Sequence, residues 1–275
     1  MKMTKTLTAI ALGAAILAGA TSAQAAGAGP KAPSKDWSFN GIFGTYDRAA
    51  LQRGFQVFKN VCASCHSLDL IAFRNLQALG YNEDQVKAIA AGYQVQDGPN
   101  AEGDMFERPA TPADHWPAPF PNDMAAAAAN GGATPPDLSL ITKARGSGGD
   151  SAIRVSMLQP DGFPLGVDYL HALLTGYKEQ PPADFQLPEG KYYNEYFPGH
   201  AISMAPPLGE GVVDYEDGTK ATTEQMSHDV STFLAWASEP ELEQRKNLGV
   251  KVILFLIILT AMLYALKRKI WSDLH

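Results

Sequence analysis

The sequence predicts a mainly α-helical domain with long irregular loops, followed by one C-terminal membrane helix. Apolar residues recur at helical spacing in several short segments, strand patterning is almost absent, and the apolar excess is concentrated at the two ends of the chain. The 275 residues are 45% hydrophobic and 19% charged, ordinary globular usage that excludes collagen-like, coiled-coil and fully disordered chains. A formal charge of −7 cannot neutralise phosphates, which excludes a whole-protein nucleic-acid binder. Two cysteines cannot staple a disulfide-dense scaffold.

At the N-terminus, Lys2 and Lys5 precede the apolar stretch Leu7–Ala20 and then Ala23-Gln24-Ala25, the small-x-small form that a signal peptidase accepts. Residues 1–25 are therefore read as a signal peptide; the stretch is short for an uncleaved anchor. At the other end, Val252–Leu266 is uncharged, and extending it back to Leu248 adds only Lys251, whose stem can snorkel to the headgroups. Residues 245–268 read as a transmembrane helix. Lys267, Arg268 and Lys269 assign the tail, 269–275, to the cytoplasm, with residues 26–244 exported to the periplasm. Without the basic flanks, residues 26–244 hold 14 basic against 28 acidic residues, a surplus that can steer a basic partner or simply aid solubility.

Within the exported region, Tyr46 to Cys62 reads as a helix with Leu51, Phe55, Phe58 and Cys62 on one face, and Gly54 inside it suits close helix–helix contact. Gln85 to Tyr93 is a second helical segment. Eight prolines between Asp97 and Pro136 exclude a continuous helix or central strand there. Asn122–Asn130 carries its own cap, Asp168–Tyr177 presents Leu170, Leu173 and Leu174, and Thr222–Gln225 has capping-box form. Ser238-Glu239-Pro240-Glu241 has that form too and is expected to start the helix that enters the membrane. Gly146 to Val167 reads as a loop insertion.

The sharpest chemical signal is Cys62-Ala63-Ser64-Cys65-His66. This spacing lets two thiols add across the vinyl groups of a haem while the adjacent imidazole reaches its iron. A thioredoxin-like redox pair is the competing reading, and no βαβ pattern surrounds the motif to support it. The domain is thus expected to be a c-type cytochrome haem domain with one covalent haem c, consuming both cysteines. The sixth iron position is open to His115, His171, His200 or His228, or to Met105, Met124, Met157, Met204 or Met226. Met204 stands apart because Pro198, Pro206 and Pro207 stiffen its loop.

The haem motif does not stand alone. Ala133-Thr134-Pro135-Pro136-Asp137-Leu138-Ser139 with Ala144-Arg145, Leu173-Leu174-Thr175-Gly176-Tyr177, and Tyr196-Phe197-Pro198-Gly199 through Met204-Ala205-Pro206-Pro207 occur in order before the single span. Together they resemble the cytochrome c1 family, the haem subunit of the ubiquinol–cytochrome c reductase (cytochrome bc1) complex, in a bacterial form. The resemblance implies Cys62 and Cys65 as attachment sites, His66 and Met204 as axial ligands, Arg145 as the partner of a haem propionate, and Pro136 as haem-cleft wall. It further implies a cytochrome b subunit, a Rieske iron–sulfur protein and a soluble c-type cytochrome as partners in the inner membrane and periplasm. The role so implied is a non-catalytic one-electron relay. A stand-alone anchored shuttle and a haem-based sensor are the alternative functions. Glu83, Asp84, Glu102, Asp104 and Glu107 are candidates for the steering surface. The 146–167 insertion is expected to brace the Met204 loop by packing, since no cysteine is left to pin it.

Overall fold

The computed structural model describes residues 30–145 and 166–272. The signal-peptide reading, Met157 and most of the 146–167 insertion lie outside these residues. The described chain is mainly helical, as expected, with two small antiparallel strand pairs.

Helix α1 (Arg48–Asn60) begins after Asp47, whose carboxylate accepts the Ala49 and Ala50 N–H groups, and buries Leu51, Phe55, Val57 and Phe58. The expected helix through Cys62 stops short, because the chain tightens at Val61 into a 3₁₀ turn, Cys62–Ser64. A longer 3₁₀ segment spans Phe73–Leu79, and α2 (Glu83–Ala91) starts at a capping box between Asn82 and Gln85.

The strands are few and short, and the pair between residues 94 and 109 has no counterpart in the sequence pattern. Strand β1 (Gln94–Asp97) pairs with β2 (Phe106–Pro109), with Gln94 opposite Pro109 and Asp97 opposite Phe106. Neither strand buries a full face, so the sequence carries no apolar alternation there. Arg108 fastens this hairpin by ion pairs to Asp97 and Asp114. The short helices α3 (Asp123–Ala129) and α4 (Ile141–Ala144) follow, α3 capped by Asn122 as expected.

Helix α5 (Gly166–Thr175) leads to a second pair, β3 (Tyr192–Tyr193) with β4 (Ala201–Ile202). Helix α6 (Thr223–Ser238) is capped by the Thr222 hydroxyl, which accepts the Gln225 N–H at 3.1 Å. The last helix, α7 (Leu242–Trp271), is 30 residues long and enters the apolar stretch without interruption. At 1.5 Å per residue it is roughly 45 Å long, more than the hydrocarbon thickness of a bilayer requires. The expected capping box at Ser238 does not form. Ser238 is the last residue of α6, and α7 starts after Glu241 with no side-chain cap. A serine committed to the last turn of one helix cannot adopt the extended backbone that caps the next.

The core is the crossing of α1 with α6, extended by α5 on the other side of α6. Gly54 sits at the crossing: a Cβ there would lie 2.0 Å from the Asp229 carbonyl oxygen. Phe55, Phe58, Phe73, Tyr93, Trp116 and Phe233 form one aromatic cluster with ring centroids 4.6 to 5.7 Å apart. Beside it, the Arg53 guanidinium meets the fully buried Asp229 at 2.8 Å and Asp217 at 2.9 Å, tying α1 to α6 and to the loop before it. Burial pushes the Asp229 carboxyl up, but hydrogen bonds from His228, Arg53 and Gln225 outweigh it and hold the group below the usual carboxylate range.

Candidate functional site

The turn that ends α1 presents the motif. Cys65 N–H donates to the Cys62 carbonyl at 3.1 Å and His66 N–H to the same carbonyl at 2.9 Å, which folds three functional side chains into one turn. Both cysteines are unbridged and, as whole residues, half-buried, and Cys62 and Ala63 pack on the edge of the hydrophobic core. Burial, with a smaller contribution from Cys65, pushes the Cys62 thiol up to about 12. A redox-active pair needs a thiol pushed the other way.

The His66 ring is oriented by a partner from a distant segment. Its Nδ1 lies 2.8 Å from the Pro136 carbonyl oxygen, which can only accept, so Nδ1 carries the proton and Nε2 keeps its lone pair. Burial lowers the His66 pKa against the opposing effects of Pro136 and Asp137, so the ring is neutral and able to ligate at pH 7. Asp137 holds the Pro136 segment in place: its carboxylate accepts from Ser67 Oγ at 2.8 Å, Asp69 N–H at 2.8 Å and Ser139 N–H at 2.9 Å. Leu138 N–H donates to the Ser67 carbonyl at 2.9 Å. Burial raises the Asp137 pKa, and these donors more than reverse it, leaving the group below its ordinary value. Pro136 thus acts here through its carbonyl, more specifically than the cleft wall expected of it.

Met204, near His66, follows β4 on a loop anchored from α5. The Tyr177 hydroxyl donates to the Met204 carbonyl at 3.1 Å. Asn194, fully buried, donates to the Leu173 carbonyl at 2.8 Å and accepts from Tyr196 and Phe197 N–H at 3.0 and 3.1 Å. Gly176 makes room, since a Cβ there would meet the Tyr196 ring at 2.6 Å. Nothing in the residue pattern singles out Asn194 beyond its place in a tyrosine-rich run.

Among the competing candidates in the described residues, His171 has both ring nitrogens engaged elsewhere. His171 Nδ1 lies 2.8 Å from Ser227 Oγ and its Nε2 lies 2.7 Å from Lys35 Nζ and 3.0 Å from Glu224. His228 stacks on Trp37 and His200 on Tyr193. His115 and His200 also place Nδ1 on a carbonyl, of Asp69 at 2.6 Å and of Asn194 at 3.1 Å, so what sets His66 apart is its position beside Cys62 and Cys65. Met226 is core, while Met105 and Met124 are exposed. Arg145 is the exposed residue after α4 and forms no ion pair among the described residues. Of the acidic candidates, Glu83 and Asp84 are partly neutralised by Lys87, whereas Glu102, Asp104 and Glu107 are exposed around the β1–β2 hairpin.

The donor set suits a haem better than a bare ion: no three His, Cys, Asp or Glu side chains converge closely enough among the described residues to hold a metal. Two unbridged cysteines, Cys62 at the edge of an apolar core, beside an imidazole with a fixed tautomer suit covalent attachment of a flat apolar macrocycle. Joined to a long helix with exposed apolar sides, they place the chain in the class of membrane-anchored c-type cytochromes.

Comparison with known proteins narrows the class. The sequence profile of the Cytochrome C1 family matches residues 37–274. The chain is 50% identical over 273 residues to Cytochrome c1 of Rhodospirillum rubrum, covering 94% of each protein. It is 52% identical over 269 residues to Cytochrome b/c1 of Bradyrhizobium diazoefficiens, covering 97% of this chain but spanning only 39% of that longer protein. It is 47% identical over 242 residues to the Cytochrome b-c1 complex catalytic subunit, mitochondrial, of Candida albicans, covering 88% of this chain and 78% of that protein. The chain belongs to the cytochrome c1 family and is an electron-transfer haem protein.

Proposed function

We propose that this chain is the haem subunit of a quinol–cytochrome c reductase of the bc1 type, relaying one electron from a Rieske iron–sulfur protein to a soluble c-type cytochrome. The observation that carries the reading is the His66–Pro136 hydrogen bond, which prepares Nε2 as a ligand beside two unbridged thiols in a cytochrome c1 family member. In this reading Cys62 and Cys65 would hold the haem through thioethers, and His66 and Met204 would ligate its iron. Arg145 supplies a cation to a propionate that would otherwise be costly to bury. A bound haem c supplies the one-electron redox change. The protein's own part is to keep Nε2 unprotonated, to hold the Met204 thioether with Tyr177 and Asn194, and to keep water from the ligands with Pro135 and Pro136.

A cytochrome b partner is supported by the Bradyrhizobium relative, named for both cytochromes, in which the part similar to this chain belongs to a longer protein. Complex membership is supported by the name of the Candida relative. Residues 1–25 are proposed to be removed as a signal peptide, placing 26–244 in the periplasm, 245–268 in the inner membrane and 269–275 in the cytoplasm. The exposed acids Glu102, Asp104 and Glu107 then belong to the field that attracts a basic carrier.

The test is a reduced-minus-oxidised spectrum of the tagged chain purified from its own membranes in mild detergent, with a pyridine haemochrome assay. Covalent c-type haem comigrating with b-type haem is the expected result. A c-type signal alone under several gentle conditions would favour the stand-alone anchored shuttle.

A further inference from the structure

Ahead of α1 the chain closes a loop against the head of α7. Thr45 N–H donates to the Ser38 carbonyl at 3.1 Å and Asn40 N–H to the Trp37 carbonyl at 2.9 Å. The Phe39 ring turns inward onto Trp37 and Tyr46, with centroids 5.7 and 4.9 Å away. The backbone is tight enough that a Cβ on Gly44 would lie 1.9 Å from the Asn40 carbonyl oxygen. The tip points outward, and it is apolar: Ile42 is 40% exposed and Phe43 82%.

The attachment points give this tip a direction. Tyr46 N–H and the Arg48 guanidinium both bond the Glu243 carboxylate, at 2.7 and 2.6 Å. Closer to the tip, the Lys246 ammonium, on a side chain only 3% exposed, donates to the Phe39 and Gly44 carbonyls. From Tyr46 toward the tip the contact on α7 thus advances three residues, ~4.5 Å along the helix axis. That is the direction of Leu248 and of the uncharged run from Val252 to Leu266, whose sides are exposed. A lysine this buried, spending its ammonium on two carbonyls, is a fixed pin rather than a passing contact.

We propose that Ile42 and Phe43 insert into the lipid interface beside α7, making this loop a second membrane contact of the domain. The inference rests on α7 spanning the bilayer. A bilayer is favoured as the occupant because the pin lies on the membrane helix itself, less than two turns before its uncharged run. An exposed aromatic ring at that level sits where the headgroup region meets the acyl chains.

The test uses the full holoprotein in its complex, reconstituted into phospholipid vesicles, with a nitroxide on Phe43→Cys or Ile42→Cys. With Cys62 and Cys65 in thioethers this chain would offer no other thiol, and the unsubstituted complex carried through the same labelling gives the background from its partners. Collision with oxygen is compared with collision with a water-soluble nickel chelate. Met124→Cys, at a position 83% exposed on α3, serves as the aqueous reference, and Ile257→Cys, in mid-α7, as the lipid reference. The expected result is a mobile label at position 43 that favours oxygen over nickel several-fold relative to position 124. An immobile label shielded from both colliders would mean that a protein partner covers the tip, and a nickel accessibility equal to that at position 124 would mean water; either overturns the proposal. A label at position 257 that meets nickel freely would overturn the membrane reading beneath it.

Discussion

Replacing Gly54 with alanine tests the packing that carries the haem turn. The added Cβ would stand 2.0 Å from the Asp229 carbonyl oxygen, 2.6 Å from the Asp229 carbonyl carbon and 2.7 Å from Phe233 Cβ. Two of these three atoms are backbone in the middle of α6, so no side chain can rotate away, and ordinary contact requires α1 and α6 to part by roughly 1 Å or more. Overpacking of this kind costs about 1–3 kcal/mol, and the shift also strains the Arg53–Asp229 pair one residue away. Because the 2.0 Å and 2.6 Å clashes are with backbone, the cost falls at the upper end of that range, and since alanine recovers about 1 kcal/mol through its better helix propensity, the net expectation is a loss of about 2 kcal/mol. For a chain of this size that lowers Tm by roughly 4–8 °C. Near-ultraviolet circular dichroism of the full chain in detergent reads the change. Gly249→Ala on α7 is the control, since its Cβ would meet nothing within 4 Å. Gly54→Ala melting at or above the wild-type temperature would refute the close-contact argument.

Met204→Leu is expected to lower the midpoint potential and to permit carbon monoxide binding, both read by optical redox titration. Tyr177→Phe, which removes the hydroxyl from the Met204 carbonyl, is expected to loosen the loop by about 1 kcal/mol and to weaken the thioether–iron band of the oxidised protein. Asp137 has its pKa depressed by folding, so its stabilisation is complete above the unfolded carboxylate value, about 3.9, and is lost as pH falls through the lower folded value. Acid titration of stability should therefore be shallower in Asp137→Asn, which at pH 7 is less stable by about 1 kcal/mol in denaturant melts. Arg53→Ala leaves the fully buried Asp229 without its cation and is expected to cost about 3 kcal/mol by the same measurement.

What the sequence made legible was local or periodic. The apolar stripe of α1, the Asn122 and Thr222 caps, the place of Gly54 and the CxxCH turn all depend on residues within a few positions of one another. The β1–β2 hairpin was invisible because its strands bury no face and are held by backbone pairing and Arg108. The Ser238 motif misled because four residues fit a capping box whether or not the first is already helical. Of the site, Cys62, Cys65 and His66 could be read from spacing. The carbonyl that Pro136 offers His66, and the work of Asp137 and Asn194, could not, since each joins segments about 20 to 70 residues apart through contacts that leave no pattern in either.

The junction between α6 and α7 sets the mechanics of the assembly. Three residues, Glu239 to Glu241, separate the helices, and the Glu239 carboxylate is held from one side by Lys143 at 3.2 Å and from the other by Arg245 at 2.8 Å. A cytochrome on a slack tether could swing to meet its donor and then its acceptor. This elbow is tied to α4 and to the first turns of α7, and the buried Lys246 adds a tie to the loop before α1, so in the proposed function the domain would keep one angle to its membrane helix rather than swing. In that reading, the travel that electron delivery requires would fall to the partner proteins.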